Sequence, residues 1–132
     1  MLKNRLIPVL LLKNDRMVKP IKFGAEGERD VGAPETTARI YNSQDADELI
    51  FLDIAATGAG RGFLLNTLRD VAENCFVPLT AGGGIRTLDD IREVLRAGAD
   101  KVSINTAAVE RPEFIREAAK MFGSQCVVVS ID

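Results

Sequence analysis

Histidine is absent from this 132-residue chain, which removes imidazole general bases, serine–histidine triads and imidazole–metal centres together. Acid–base chemistry therefore falls to carboxylates and lysine. Asp53 and Asp132 each close an apolar run. At the rim of a parallel sheet a carboxylate so placed transfers a proton, caps a helix or binds a backbone amide. The stretch Gly82-Gly83-Gly84-Ile85-Arg86 follows another apolar run and precedes a helical pattern. Three glycines let the backbone approach an anion, and amides backed by a helix N-terminus favour phosphate, although a tight turn needs glycine too. Asn105 and Thr106 end the next run and add neutral donors, so adjacent strand ends make a phosphate cradle.

A further constellation follows from strand geometry. Side chains two positions apart share a face. Arg5, Ile7, Val9 and Leu11 form one row, and Glu48, Ile50 and Leu52 a second. Lys101, Ser103 and Asn105 form a third, and Val128, Ser130 and Asp132 a fourth. If the rows face a barrel axis, Arg5, Glu48 and Lys101 make a charged layer across its floor, where opposite signs pair and offset part of their desolvation. If they face away, the same charges point to solvent.

The elements that must position these residues alternate along the chain. Short runs rich in Val, Ile and Leu predict buried strands over residues 6–12, 49–54, 77–81, 101–105 and 126–131. Amphipathic spacing predicts helices over 35–42, 62–73, 88–97 and 112–122. Thr87 with Asp90 reads as a capping box, Pro112 suits a first helical turn, and Gly98 and Gly123 follow helix ends. Residues 46–51 (ADELIF) echo residues 99–104 (ADKVSI) two βα units apart, and repeated βα units build a parallel sheet with helices outside it.

The expected fold class is α/β, and the expected architecture is half of a (β/α)8 TIM barrel: four βα units plus a fifth strand in one domain over residues 1–132, the N-terminal half of a longer chain. A flavodoxin-like five-stranded sheet is the rival. The charged, glycine-containing segment 13–34 lies between the first strand and its helix. It reads as a substrate loop or lid, or as a tolerated surface insertion.

Composition narrows the function classes. With 17 basic and 19 acidic residues and a net charge of −2, no Lys/Arg stripe recommends nucleic acid or a membrane surface as a partner. The apolar run at residues 6–12 contains Pro8, ends at Lys13 and is too short to span a bilayer, so the chain is expected in the cytoplasm. Cys75 and Cys126 sit among apolar neighbours and read as buried thiols, not as a disulfide or a metal site. No metal or cofactor is expected.

Four blocks carry a family likeness: DELIFLDI (47–54), GGGIR (82–86), ADKVSINTAA (99–108) and GSQCVVVSID (123–132). Together they resemble the N-terminal half of the HisF-like family, the cyclase subunit of imidazole glycerol phosphate synthase, across essentially the whole chain. The resemblance implies a barrel lyase of histidine biosynthesis that takes ammonia from a partner glutaminase through the barrel axis. At the other mouth ammonia meets a bis-phosphorylated aminoimidazole-carboxamide ribonucleotide. By position the likeness assigns Gly84, Asn105 and Thr106, within the turn opened by Gly82 and Gly83, to a phosphate site. It assigns Lys19 to a mobile first loop, Arg5, Glu48 and Lys101 to an ammonia gate, and Asp132 to one of two catalytic aspartates.

The other aspartate belongs in a first-strand Pro-Cys-Leu-Asp-Val-Lys-Asp-Gly pattern. Here residues 8–15 read PVLLLKND, with Leu11 in the acid's place. A leucine cannot move a proton, and two-carboxylate chemistry with one partner removed loses about two to four decades of rate. The PVLLLKN form and residues 20–23 (PIKF) resemble a paralogous branch associated with surface-polysaccharide loci. In that branch the barrel and a glutaminase feed ammonia to a sugar amidotransferase that makes an acetamidino group. The expectation is an ammonia-conducting subunit for sugar amidination. The alternatives are an authentic cyclase and a non-catalytic scaffold that docks a glutaminase. The expected partners are a glutaminase, a phosphorylated small molecule or a sugar amidotransferase, and a second half barrel through self-association.

Overall fold

The computed structural model describes residues 3–13, 16–22, 25–54 and 61–131, with the backbone alone for 19–22, 25–31 and 61–64. The first strand is β1 (Val9–Lys13), followed by β2 (Arg16–Lys22) and β3 (Ala25–Gly32). Then come α1 (Pro34–Ser43), β4 (Leu49–Asp53), α2 (Arg61–Ala72), β5 (Leu79–Gly82) and α3 (Leu88–Ala97). The chain continues through β6 (Lys101–Ile104), α4 (Thr106–Glu110), α5 (Pro112–Phe122), a 3-10 turn at Ser124–Cys126 and β7 (Val127–Val129).

The sheet runs β3-β2-β1-β4-β5-β6-β7. From β1 through β4, β5 and β6 to β7 every pairing is parallel, and spatial order follows chain order. That settles the rivalry between architectures. A flavodoxin-like sheet reverses direction after its first strands and puts helices on both faces, whereas right-handed crossovers in strict succession put them all on one. The covered face carries Leu10, Leu12, Leu49, Phe51, Leu79, Ala81, Val102 and Ile104, packed in one core with Ala38, Leu68, Val71, Ile91, Val94, Phe114 and Ala118 from the helices. The other face is the concave, axis-facing one. It carries Val9, Leu11, Ile50, Leu52, Thr80, Gly82, Ser103 and Val128, aligned by the register Leu11–Leu52–Gly82–Ser103–Val128.

Local sequence accounts for the clearest helices. Thr87 and Asp90 form a reciprocal capping box at the start of α3, and Ile91, Val94 and Ala97 face the core from it. Burying the first two contributes about 1.5–3 kcal/mol each. Pro112 opens α5, whose buried residues are Phe114 and Ala118. Both helices match the ranges expected from sequence.

The echo between residues 46–51 and 99–104 has a structural cause. Asp47 donates its amide to Leu6 O at 3.0 Å and accepts the Leu6 amide on Oδ2 at 2.7 Å. Asp100 does the same to Leu79, at 2.7 Å and 2.8 Å. Each aspartate clamps the start of the neighbouring strand, and each directly precedes a residue of the charged layer, Glu48 or Lys101.

Within segment 13–34, β2 and β3 pair antiparallel as a hairpin that extends the sheet from Leu12 and Lys13 of β1. Charges, Pro20 and scattered glycines hid the strands, because antiparallel ladders at an edge need no continuous apolar run. The thiols of Cys75 and Cys126 are half-buried rather than buried. Among the described residues no helix is long and apolar enough to cross a membrane.

Candidate functional site

Strand order brings the first constellation together at the N-terminal ends of the strands. Glu48 Oε1 lies 3.0 Å from Lys101 Nζ and 3.1 Å from Arg5 Nη1. One carboxylate oxygen therefore holds both cations. The Glu48 side chain is 10% exposed, against 28% for Lys101 and 57% for Arg5, so the anion is the buried member and the cations approach it from a wetter side. Glu48 stands two residues before Ile50, and Ile50 is in register with Thr80 and through it with Lys101. All therefore share the concave face, and Lys101 reaches across β5 to a strand it does not pair with. The Asp47–Leu6 exchange fixes the backbone next to Arg5. Of the two readings open at the sequence level, solvent-pointing charges and a paired layer, the geometry is the paired layer.

At the opposite ends of the same strands a cleft of 340 Å³ is lined by Leu52, Asp53, Ile54, Gly83, Gly84, Ile85, Arg86, Ser103, Ile104, Asn105, Thr106 and Ser130. It gathers Asp53, Gly83, Gly84, Asn105 and Thr106 from three successive strand ends. Asp53 is buried at the end of β4. Gly83 takes φ +109°, where a side chain is strained, and a Cβ there would collide with the Asp53 carbonyl oxygen. Gly82 is needed for space: its Cβ would lie 2.7 Å from Ser103 O and 2.8 Å from Ser103 Cβ. Two of the three glycines are thus demanded by their protein neighbours, whatever the turn binds.

At the start of α3, Asp90 Oδ2 accepts from the Arg86 amide at 2.9 Å and the Thr87 amide at 3.0 Å. A carboxylate already answers that helix terminus. The polar groups that remain at this rim are the backbone of the glycine turn, Asn105, Thr106 and the Arg86 side chain. Asn105 is the residue before α4, a five-residue helix absent from the sequence expectation.

Leu11 lies on the concave face in register with Leu52, which lines the cleft. The position that holds an acid in the resembled pattern thus meets an apolar neighbour here. Lys19 is in β2, in register with Arg29 of β3, within the hairpin that connects β1 to α1. Asp132 lies outside the described residues. Sequence reasoning left Arg86, Ser103 and Ser130 without a role, yet all three line the cleft. The i, i+2 rows put Ser103 on one face with Asn105 and Ser130 on one face with Asp132, without deciding which way the faces turn, and Arg86 follows the glycine turn directly.

The described strands and helices make five parallel strands of a singly wound βα array, covered by helices on one face. A family model described as "Histidine biosynthesis protein" matches residues 5–132. This family folds as a TIM barrel, and the alternating βα units here form part of one. The chain belongs to the histidine biosynthesis protein family.

Proposed function

We propose that this chain is a HisF-like synthase subunit that accepts ammonia from a partner glutaminase at the charged end of its sheet, for amidination of a nucleotide sugar. The observation that carries this reading is the shared Glu48 oxygen: a carboxylate bridging Arg5 and Lys101 at the floor of a concave face whose far end opens into the cleft. Partly buried charges at the narrow end of a conduit cost desolvation that an apolar plug would avoid, so a functional role gives them a reason to be there. Leu11 beside Leu52 supports a conduit over a cyclase, since it removes a proton-transfer group while leaving the floor intact. The retained Gly84, Asn105 and Thr106 rim favours the authentic cyclase as the second reading.

The test is Lys101→Met in the protein assembled with the glutaminase encoded in the same genome and its ammonia acceptor. Under the conduit reading the variant stays folded, glutamine hydrolysis becomes poorly coupled to product, and activity with external ammonium salt is unchanged. A parallel fall in glutamine-driven and ammonium-driven activity, in step with a lower Tm, overturns it and makes the layer structural.

A further inference from the structure

Between the first turn of α1, the root of the β2–β3 hairpin at Arg16 and the middle of α2 lies a cavity of 280 Å³ that shares no lining residue with the cleft. Thr67 of α2 lines it and is 5% exposed. A threonine inside a helix commonly returns its hydroxyl to the carbonyl four residues back, as Thr37 of α1 does to Ala33 O at 3.2 Å. Thr67 makes no such bond, and its hydroxyl has no partner among the described residues. An unanswered buried hydroxyl carries its desolvation cost. A group that enters the cavity and bonds it recovers that cost.

The charges around the hydroxyl decide what that group is. Glu35 and Asp70 line the same cavity, and neither carboxylate has a hydrogen bond or ion pair among the described residues. Glu35 stands in the first turn of α1, where the helix dipole favours an acid. Asp70 stands in the last turn of α2, where the dipole opposes one, so its helix gives it no reason to be there. Against these two acids the lining holds one cation, Arg16 on the hairpin side. A primary ammonium answers both features, since it brings one positive charge and three N–H donors, and a hydroxyl oxygen accepts. A bare ammonium ion would leave most of the 280 Å³ unfilled, and Arg16 opposes a second positive end. Ala33 and the buried Pro34 offer a short carbon chain an apolar wall. We infer that this cavity binds a small organic primary ammonium, which donates to the Thr67 hydroxyl and has its charge answered by Asp70 and Glu35. The inference does not depend on the function proposed for the cleft and the charged layer.

The experiment is an amide NMR titration of the chain with n-butylammonium chloride and with 1-butanol, in which a hydroxyl replaces the ammonium. Butylammonium should shift the amides of Glu35, Thr67 and Asp70 and the alcohol should not, and its affinity should fall as salt rises. Thr67→Val keeps the shape and removes the hydroxyl. It should weaken butylammonium about tenfold or more, the worth of one hydrogen bond to a charged group, with the Tm level or higher. Asp70→Asn should weaken binding and flatten its salt dependence, while Asp89→Asn, an exposed acid of α3 outside the cavity, should change neither. Equal binding of the two probes overturns the ammonium site, as does an equal loss in Asp70→Asn and Asp89→Asn. Unchanged affinity in Thr67→Val, or a lower Tm, shows that the hydroxyl is already answered within the fold and overturns its role. Binding of neither probe overturns the inference and leaves Thr67 to ordered water.

Discussion

Asp100 holds Leu79 by both polar groups of its backbone, giving its own amide to the Leu79 carbonyl at 2.7 Å and taking the Leu79 amide on its carboxylate at 2.8 Å. Leu79 is 2% exposed, so nothing but Asp100 can readily answer that amide. Asp47 makes the same exchange with Leu6, which is 76% exposed. The clamps match in geometry and differ in environment.

That difference ranks two substitutions. Asp100→Ala strands a buried donor and should cost about 1–2 kcal/mol. Asp47→Ala lets water replace the carboxylate and should cost less than about 1 kcal/mol. Urea denaturation of the two variants measures the order, and equal losses would show that burial of the clamped amide is not what sets the cost.

Leu11 supplies a test that separates the two enzymatic readings. The protein bearing Leu11 should fail to support growth of a histidine auxotroph, and Leu11→Asp should restore part of the cyclase activity if the rest of the site is intact. Placing a carboxylate beside Leu52 also buries a polar group against an apolar one, so the variant should be less stable by about 1–3 kcal/mol. Growth supported by the unsubstituted protein would move the assignment to the cyclase.

Much of this arrangement is legible in the chain because local and global signals agree. The α3 helix announces itself through Thr87, Asp90 and Gly98, and its apolar stripe is the one it buries. The i, i+2 rows offered Arg5, Glu48 and Lys101 as one layer or as solvent-pointing charges, and the shared Glu48 oxygen decides for the layer. What was not legible depends on contacts between distant residues. The β2–β3 hairpin has no clean alternation, since its strands pair with each other at the sheet's end. That Asp90 occupies the Arg86 and Thr87 amides follows from a capping box visible in sequence, but that Arg86 lines the cleft needed the strand order. The buried hydroxyl of Ser103 depends on a glycine 21 residues earlier, through the register of β5 with β6.

Cys75 links stability to alkaline pH. Burial pushes its thiol above the ordinary value of 9.0, and the negative charge of Asp100 adds to the rise. The folded state therefore holds the thiol proton more tightly than the unfolded chain does. Its stabilising contribution is complete below pH 9 and is lost as pH rises through the folded value. The Tm of the chain should fall more steeply above pH 9 than that of Cys75→Ala, and parallel slopes for the two would remove Cys75 as the cause.

The edges of the sheet carry the last prediction. On one side β7 pairs only with β6 among the described residues, with Val129 40% and Ile131 88% exposed. On the other, β2 covers β1 only at Leu12 and Lys13, leaving Val9 51% exposed on the concave face. Unpaired edges recruit further strands, and β1 and β7 run in the same direction, so two copies related by a twofold along the sheet axis can join β7 of each to β1 of the other and bury both concave faces. The 132-residue chain should therefore sediment as a concentration-dependent dimer. Val9→Lys, which puts a charge on the face to be buried without touching the helix-side core, should shift the equilibrium toward monomer and leave the circular dichroism unchanged. A folded monomer at every concentration, with Val9→Lys indistinguishable from it, would show that the edges are protected without a second copy.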